Sequence, residues 1–354
     1  MTAVIFMATA LFVACTEEQQ DGDGDNGPKI SFTPMEINGQ NARKWEQTRA
    51  SQTEDTDIES FKVSCVIYSA YETFATASES KYYFINESIE SDTGQSKYFW
   101  PGSEHNLSFF AYTPISNSLN ALHLSQLSED WTCEIAGKPT YNYTVPLYVD
   151  EQLDFMTAEV LDHSGAPTTT PVALTFRHKL SDVRFIITNE NTDKAITINS
   201  IIMCGMRFMG ELENNNWKLS GSRNTKTTNP FRFYANTNIA AEATVDITGT
   251  DNHFMLIPQE VASGRALFVI NVTVDGVDKE YTHVLESAFT FVMEKSYTFN
   301  ISIGPDGMKV DPDTYIVDWE TDVRYIYPML DANDPTKQDQ SVDNATADVN
   351  DWKP

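Results

Sequence analysis

Basic residues, histidine and cysteine are all scarce in this chain, and each shortage removes a class of function. Its 354 residues carry 24 lysines and arginines against 51 aspartates and glutamates, a formal net charge of −27. Nucleic-acid binding rests on cations that neutralise phosphates, so that class is excluded. Docking of the folded part on an anionic bilayer is excluded by the same argument. Only six histidines occur, at 105, 123, 163, 178, 253 and 283. None forms HExxH, and none lies at ligand spacing with cysteine or acid partners. GxSxG, the P-loop and a glycine-rich dinucleotide fingerprint are missing too. The acid pair Glu17-Glu18 lies in a polar stretch, without the buried setting that a glycosidase acid needs. The chain therefore reads as non-catalytic, with no metal and no cofactor.

Helical periodicity is also lacking. There are no heptads and no amphipathic pattern longer than about three turns. The long uncharged run at the start, residues 1–14 (MTAVIFMATALFVA), spans roughly 21 Å as a helix, short of a bilayer core of roughly 30 Å. Its length suits a signal-peptide core. Phe12-Val13-Ala14-Cys15 resembles a lipobox, in which cleavage precedes a cysteine that then carries acyl chains. Phe12 stands where leucine is usual, and no Lys or Arg precedes the run, which leaves the true start codon open. An ordinary secretory peptide with an incidental Cys15 is the alternative.

Residues 15–29 are acidic, glycine-rich and without large apolar groups until Ile30, the composition of a solvated tether. Asp21, Asp23 and Asp25 alternate as in half a calcium loop. Asn26 replaces the required glycine and Phe32 the bidentate glutamate, so the tether reading stands. Of the four cysteines, Cys65, Cys133 and Cys204 remain, and no CxxC motif accompanies them. Cys65 alternates with Phe61, Val63 and Ile67, the place of a small buried hydrophobe in a strand. All three are read as structural thiols, with a Cys65–Cys133 bridge left open.

What the chain has in quantity is short strands with period-2 alternation. KYFWPGSEHNLSFFAYTP (97–114) gives two of them around a Pro-Gly turn. FKVSCVIYSAY (61–71), LDFMTAEV (153–160), VALTFRHKLSDVRFIITN (172–189) and SYTFNISI (296–303) continue the pattern, and GAPTTTP (165–171) reads as a linker. Many short strands, turn signals and this length argue for two β-sandwiches. The expected division is a signal peptide at 1–14, the tether at 15–29, sandwiches at 30–168 and 169–330, and a polar tail at 331–354. Val317, Trp319, Val323, Tyr325 and Tyr327 alternate with Asp318, Glu320, Asp322 and Arg324, a two-faced strand of unusual length.

The order of these blocks resembles the Bacteroidetes fimbrillin family, in particular its major/minor fimbrillin-like branch. After the lipobox come ISF, Thr48-Arg49-Ala50, YFWP, SFFAYTP, DFMTA, LTFRHKLSDVRF, FMLIPQ and KSYTFNISI with IVDW. The resemblance spans about residues 30–320 and rests on order and spacing, since each block alone is a strand and a turn. It implies an all-β fold of two tandem transthyretin-like Greek-key β-sandwich domains. It also implies a non-enzymatic fimbrial (pilus) subunit or fimbria-associated adhesion lipoprotein, on the cell outer membrane or in the fimbrium. Glu17 and Glu18, close behind Cys15, resemble the acidic signal for surface export in such lipoproteins. Its implied partners are other fimbrial subunits, the outer membrane through a lipid on Cys15, and a host or bacterial surface ligand.

By the same resemblance, an arginine-specific protease removes the first strand, and a C-terminal strand of the next subunit fills the vacated groove. The candidate cleavage site is Arg49 before Ala50, with Arg43 second; an arginine in an exposed loop is the plain alternative. The candidate donor strand is Val317, Trp319, Val323, Tyr325 and Tyr327, and its first half reads equally as the last strand of the second sandwich. The polar tail departs from a chain that ends in its donor, so stalk, anchor and tip roles stay open. A glycan-binding surface lipoprotein is the competing reading, with Trp45, Trp131 and Trp217 as conceivable stacking platforms.

Overall fold

Alternation of apolar and polar residues puts one set of side chains on each face of an extended chain, and pairs of such faces close over two cores. The computed structural model describes residues 27–35, 60–90, 93–113, 137–249, 252–311 and 315–318. Among the described residues there is no α-helix; the helical element is a 3₁₀ turn at Val149–Glu151.

The first strands are β1 (Lys29–Met35), β2 (Ser60–Ser69), β3 (Ser80–Glu90), β4 (Gln95–Phe99) and β5 (His105–Thr113). They are followed by β6 (Tyr141–Thr144), β7 (Met156–Ser164), β8 (Val172–Thr175) and β9 (Arg177–His178). An antiparallel sheet of order β3-β2-β5-β7-β9 packs on a three-stranded sheet of order β4-β1-β8. Between them lie Phe61, Val63, Cys65, Ile67, Phe109 and Ala111 from one sheet and Ile30, Phe32, Val172 and Leu174 from the other. Cys65 is fully buried and free, as its alternation with Phe61 and Val63 predicts. Outward-facing Val66, Tyr68 and Phe110 form a satellite cluster with Phe74 and Ala77 of the 70–79 loop. That loop is pinned by Tyr68, whose hydroxyl donates to Asp162 Oδ1 at 2.6 Å, while the same oxygen accepts from the Phe74 amide.

The second unit begins with β10 (Ser181–Asn189), β11 (Ile196–Met203), β12 (Met209–Glu213), β13 (Asn216–Ser220), β14 (Phe231–Phe233) and β15 (Thr237–Ile239). Then come β16 (Thr244–Asp246), β17 (Phe254–Leu256), β18 (Gln259–Val261), β19 (Ala266–Val274) and β20 (Val277–Val284). The last are β21 (Phe289–Phe291), β22 (Lys295–Gly304), β23 (Gly307–Val310) and β24 (Tyr315–Asp318). One sheet follows the order β16-β10-β22-β23, with β17 on β10 and β24 on β22; the other follows β14-β11-β19-β20. Val183, Phe185, Ile187, Phe299 and Ile301 meet Ile198, Ile201, Phe268 and Ile270 in the second core. β10 and β22 run parallel over eight paired positions, Asp182↔Ser296 to Asn189↔Ile303. A parallel pair needs a long crossover, and the strands from β11 to β21 supply it.

Two local features follow from single residues. In β11 the inward positions jump from Ile198 to Ile201 because a bulge interrupts the ladder between Ile198 and Ser200, and one extra residue shifts the alternation by one. The asparagine-rich stretch before Trp217 is the turn of a β12–β13 hairpin. Asn214 and Asn215 both take positive φ, 48° and 60°, which short amide side chains tolerate.

The cores do not divide at 168/169. Tyr143, Val145, Val149 and Phe155 belong to the second core, and β6 pairs with β12. Val172, Leu174 and Phe176, beyond the Pro/Thr linker, return to the first core. The chain thus crosses between the units more than once, because β8 is needed beside β1 and the 141–155 segment caps the second sandwich.

Candidate functional site

The site of interest is the slot that β1 fills. Ile30, Phe32 and Pro34 alternate inward and are buried, while Ser31, Thr33 and Met35 are only partly so. Phe32 meets the edges of Phe61 and Phe109 at ring-centroid distances of 6.2 and 5.2 Å. Side chains of this kind contribute about 1.5–3 kcal/mol each when buried, so Ile30 and Phe32 dominate the hold on the strand. On one side β1 runs parallel to β8, from Phe32↔Val172 to Met35↔Thr175. The other side pairs antiparallel with β4, from Lys29↔Phe99 to Ser31↔Gln95 across a bulge.

Gly94 sets the end of that second ladder. Its carbonyl accepts from the Phe32 amide at 2.7 Å. At φ +59° a Cβ on Gly94 would come within 2.3 Å of the Phe32 carbonyl oxygen, so only glycine permits the approach. Successive N–H groups alternate sides along a strand. Pro34 therefore directs its hydrogen-free nitrogen to the same side as Phe32, beyond the point where β4 has ended. That explains a proline inside a central strand. Past Gly94, β1 is held by β8 alone, and the Phe176 amide bonds to the Met35 carbonyl at 3.1 Å.

At the other end of the chain, β24 pairs antiparallel with β22, with Ser296↔Val317 in register. Val317 thus lies on the last strand of the second unit, at its sheet edge, and neighbouring Ile316 is half exposed. Trp319, Val323, Tyr325 and Tyr327 lie outside the described residues, as do Cys15, Arg43, Arg49, Ala50, Cys133, Trp45 and Trp131. Trp217 is corrected as a stacking platform: its indole donates to the Lys179 carbonyl at 2.8 Å, and the ring packs on Tyr143 and Phe155. The ring is partly buried, and its apolar body packs on the edge of the second core instead of standing free as a platform.

Behind Val317's partner lies a polar cluster that the sequence reading did not single out. Asp182, fully buried on β10, accepts from Arg184 Nε at 2.8 Å and from Ser296 Oγ at 2.7 Å. His253 Nδ1 stands 3.1 Å from its other oxygen, and His253 Nε2 lies 2.9 Å from the Gly249 carbonyl. The Nδ1 contact is close enough for charge pairing without a well-aligned hydrogen bond. Burial alone would raise the Asp182 carboxyl, but His253, Arg184 and the Ser296 hydroxyl hold it well below the usual carboxylate range. The signal was Asp-x-Arg inside LSDVRF, two charges on one face of an otherwise apolar strand. A second pair, His178 Nδ1 and Asp154 Oδ2, closes at 2.7 Å. Neither is a nucleophile arrangement, and among the described residues no group of His, Cys, Asp or Glu is placed to hold a metal. Cys204 is a free, buried thiol, with burial pushing its pKa up.

A family profile described as fimbrillin-like matches residues 48–319. The chain belongs to the fimbrillin-like family. The match takes in every strand of this fimbrillin-like chain from β2 to β24 and leaves β1 outside it. Among solved structures, a fimbrial protein from Bacteroides vulgatus overlaps with a TM-score of 0.56 at 14% identity, covering 82% of this chain and 99% of its own. Candidate cell adhesion proteins from Bacteroides ovatus (TM-score 0.48, 13% identity, 83% and 98% covered) and Bacteroides uniformis (0.46, 15%, 82% and 99%) are also similar. No curated protein matches. The first of these overlaps agrees with the all-β sandwich architecture. Family membership supports a fimbrial subunit at the cell surface, a structural role rather than a catalytic one. No helix among the described residues is long and apolar enough to cross a membrane.

Proposed function

We propose that this fimbrillin-like chain is a fimbrial subunit, or a fimbria-associated adhesion protein, that joins its neighbours by strand donation. The observation that carries the reading is β1. It is an N-terminal strand seated between β4 and β8, with alternate side chains in the first core. Sequence between it and β2 holds Arg43, Arg49 and Ala50. Cutting after Arg49 removes β1 and leaves β4 and β8 with facing unpaired N–H and C=O groups over an apolar slot. An incoming strand with apolar residues at alternate positions satisfies both demands: main-chain bonds supply affinity and the pockets of Ile30 and Phe32 supply register.

Val323, Tyr325 and Tyr327, at the same spacing of two, are the proposed donor residues, with Val317 and Trp319 leading into them from β24. In this scheme Cys15 carries the lipid that delivers the subunit to the outer membrane surface before processing. Cleavage then separates subunit from anchor.

The test is an Arg49→Ala variant beside the wild type on cells. Loss of SDS-resistant ladders in the variant, with a mature N-terminus at Ala50 in the wild type, is the expected result. Ladders of equal length in both would rule out processing at Arg49.

A further inference from the structure

The surface of the second sandwich carries an aromatic pair that fimbrial assembly through β1 and β24 does not use. Tyr148 and Tyr234 are 44% and 59% exposed, yet their rings lie together, with centroids 6.5 Å apart and planes 26° from parallel. A closed face-to-face stack has a much shorter centroid distance, so these rings are offset and each keeps an open face. Arg232 lies between them in the backbone: it bridges to Tyr148 and donates its amide to the Leu147 carbonyl at 2.7 Å. On β14, Phe231 is buried and Phe233 packs on the core, so alternation sends Arg232 and Tyr234 to the outer face. Among the described residues no carboxylate lies within ion-pair distance of Arg232, in a chain with 51 acidic residues.

We infer that Tyr148, Arg232 and Tyr234 form a binding site for an acidic saccharide. Two open tyrosine faces stack on the apolar faces of pyranose rings, and a guanidinium fork matches a carboxylate or sulfate substituent. Asn236, exposed two residues beyond Tyr234, offers an amide to sugar hydroxyls, while the exposed carboxylates Asp150 and Glu151 follow Tyr148 on the other segment. A protein partner fits less well, because a stable interface buries roughly 800 Å² on each side, and two rings with a polar rim offer far less apolar surface. Repulsion from the chain's distant negative charge is screened beyond roughly 8 Å at physiological salt, so the local balance is that of Arg232 against Asp150 and Glu151.

The platform is also rigid before any ligand arrives. Val149 in the 3₁₀ turn and Phe231 on β14 anchor both segments of it in the core. Gln152, fully buried, donates to the Pro146 carbonyl at 2.8 Å and accepts from the Met255 amide at 2.7 Å, which locks the turn that bears Tyr148. Little ordering is therefore left for binding to impose. The inference goes beyond strand donation, and either reading stands if the other fails.

The experiment uses the full chain, titrated with sialyllactose, trigalacturonic acid and neutral lactose by saturation-transfer NMR and calorimetry. Saturable binding of an acidic sugar is expected, weakened at least about tenfold by Tyr148→Ala and by Tyr234→Ala. Tyr234→Phe keeps the ring and should bind as the wild type does, which separates lost stacking from lost folding. Arg232→Gln should abolish the preference for acidic sugars over lactose. No saturable binding to either acidic sugar, or binding that survives both alanine variants, overturns the inference.

Discussion

Phe32→Ala is the perturbation that reads the first core most directly. The phenyl ring is 3% exposed, with edge contacts to Phe61 and Phe109. Truncating such a side chain costs about 3–5 kcal/mol, the transfer loss plus the cavity left behind. The protein carries its own reporters for where that loss falls. Cys65 is fully buried in the first core, and Cys204 is 2% exposed in the second unit; both thiols are free. Each is held in the unreactive thiol form by burial, which raises both pKa values, so alkylation proceeds from opened states. A loss of about 3 kcal/mol raises the open population about a hundredfold. Peptide-resolved mass spectrometry after timed alkylation should therefore show Cys65 labelling faster by about that factor in Phe32→Ala. Cys204 should change by less than about threefold, because sites in separate cores act nearly independently. Equal acceleration of both thiols would refute the assignment of β1 to the first core alone. No acceleration of either would refute the claim that Phe32 holds the strand in place.

Other outcomes follow from single contacts. Gly94→Ala places a Cβ 2.3 Å from the Phe32 carbonyl oxygen and should raise Cys65 labelling at least about fivefold, as expected for more than about 1 kcal/mol of strain; an unchanged rate contradicts the close approach. Asp182→Asn removes the charge that faces Arg184 and His253 and should cost the second unit about 3–5 kcal/mol in calorimetry at neutral pH. Because the folded Asp182 carboxyl lies below its unfolded value, the wild type gains stability from it above about pH 4 and loses that share as pH falls toward the folded value. The asparagine variant should therefore show a shallower acid limb, and parallel limbs would contradict the pairing. Tyr68→Phe deletes the bond to Asp162 that helps pin the 70–79 loop. It should cost about 1.5–3 kcal/mol, with faster proteolytic nicking in that loop as the readout.

Strand alternation was the legible part of the fold. Phe61, Val63 and Cys65 on one strand, and Val183, Phe185 and Ile187 on another, point inward where their spacing says they must. What sequence could not show was which strand joins which core. Tyr141–Thr144 and Val172–Thr175 are too short to choose a neighbour by pattern; long-range pairing with β12 and β1 decides it. The Asp182 cluster was hidden because polar residues in a strand read as its solvent face, and only the parallel partner β22 brings Ser296 beneath it. Trp217 looked available by residue type, whereas the Lys179 carbonyl and the core edge had claimed it. Tyr148 and Tyr234, 86 positions apart in the sequence, share a surface only after β14 lies beside the 3₁₀ turn. The β1 slot was read from family order, but its geometric logic, Gly94 admitting Phe32 and β4 stopping short of Pro34, needed coordinates.

The central proposal is that β1 occupies a slot later filled by a strand of a neighbouring fimbrial subunit. The most direct measurement is the N-terminus of the mature protein isolated from the cell surface, by mass spectrometry of fimbriae sheared from intact cells. Strand donation predicts chains that begin at Ala50 and have lost Ile30, Phe32 and Pro34. Sheared fimbriae whose subunits still begin at a lipid-modified Cys15, with β1 retained, would contradict it.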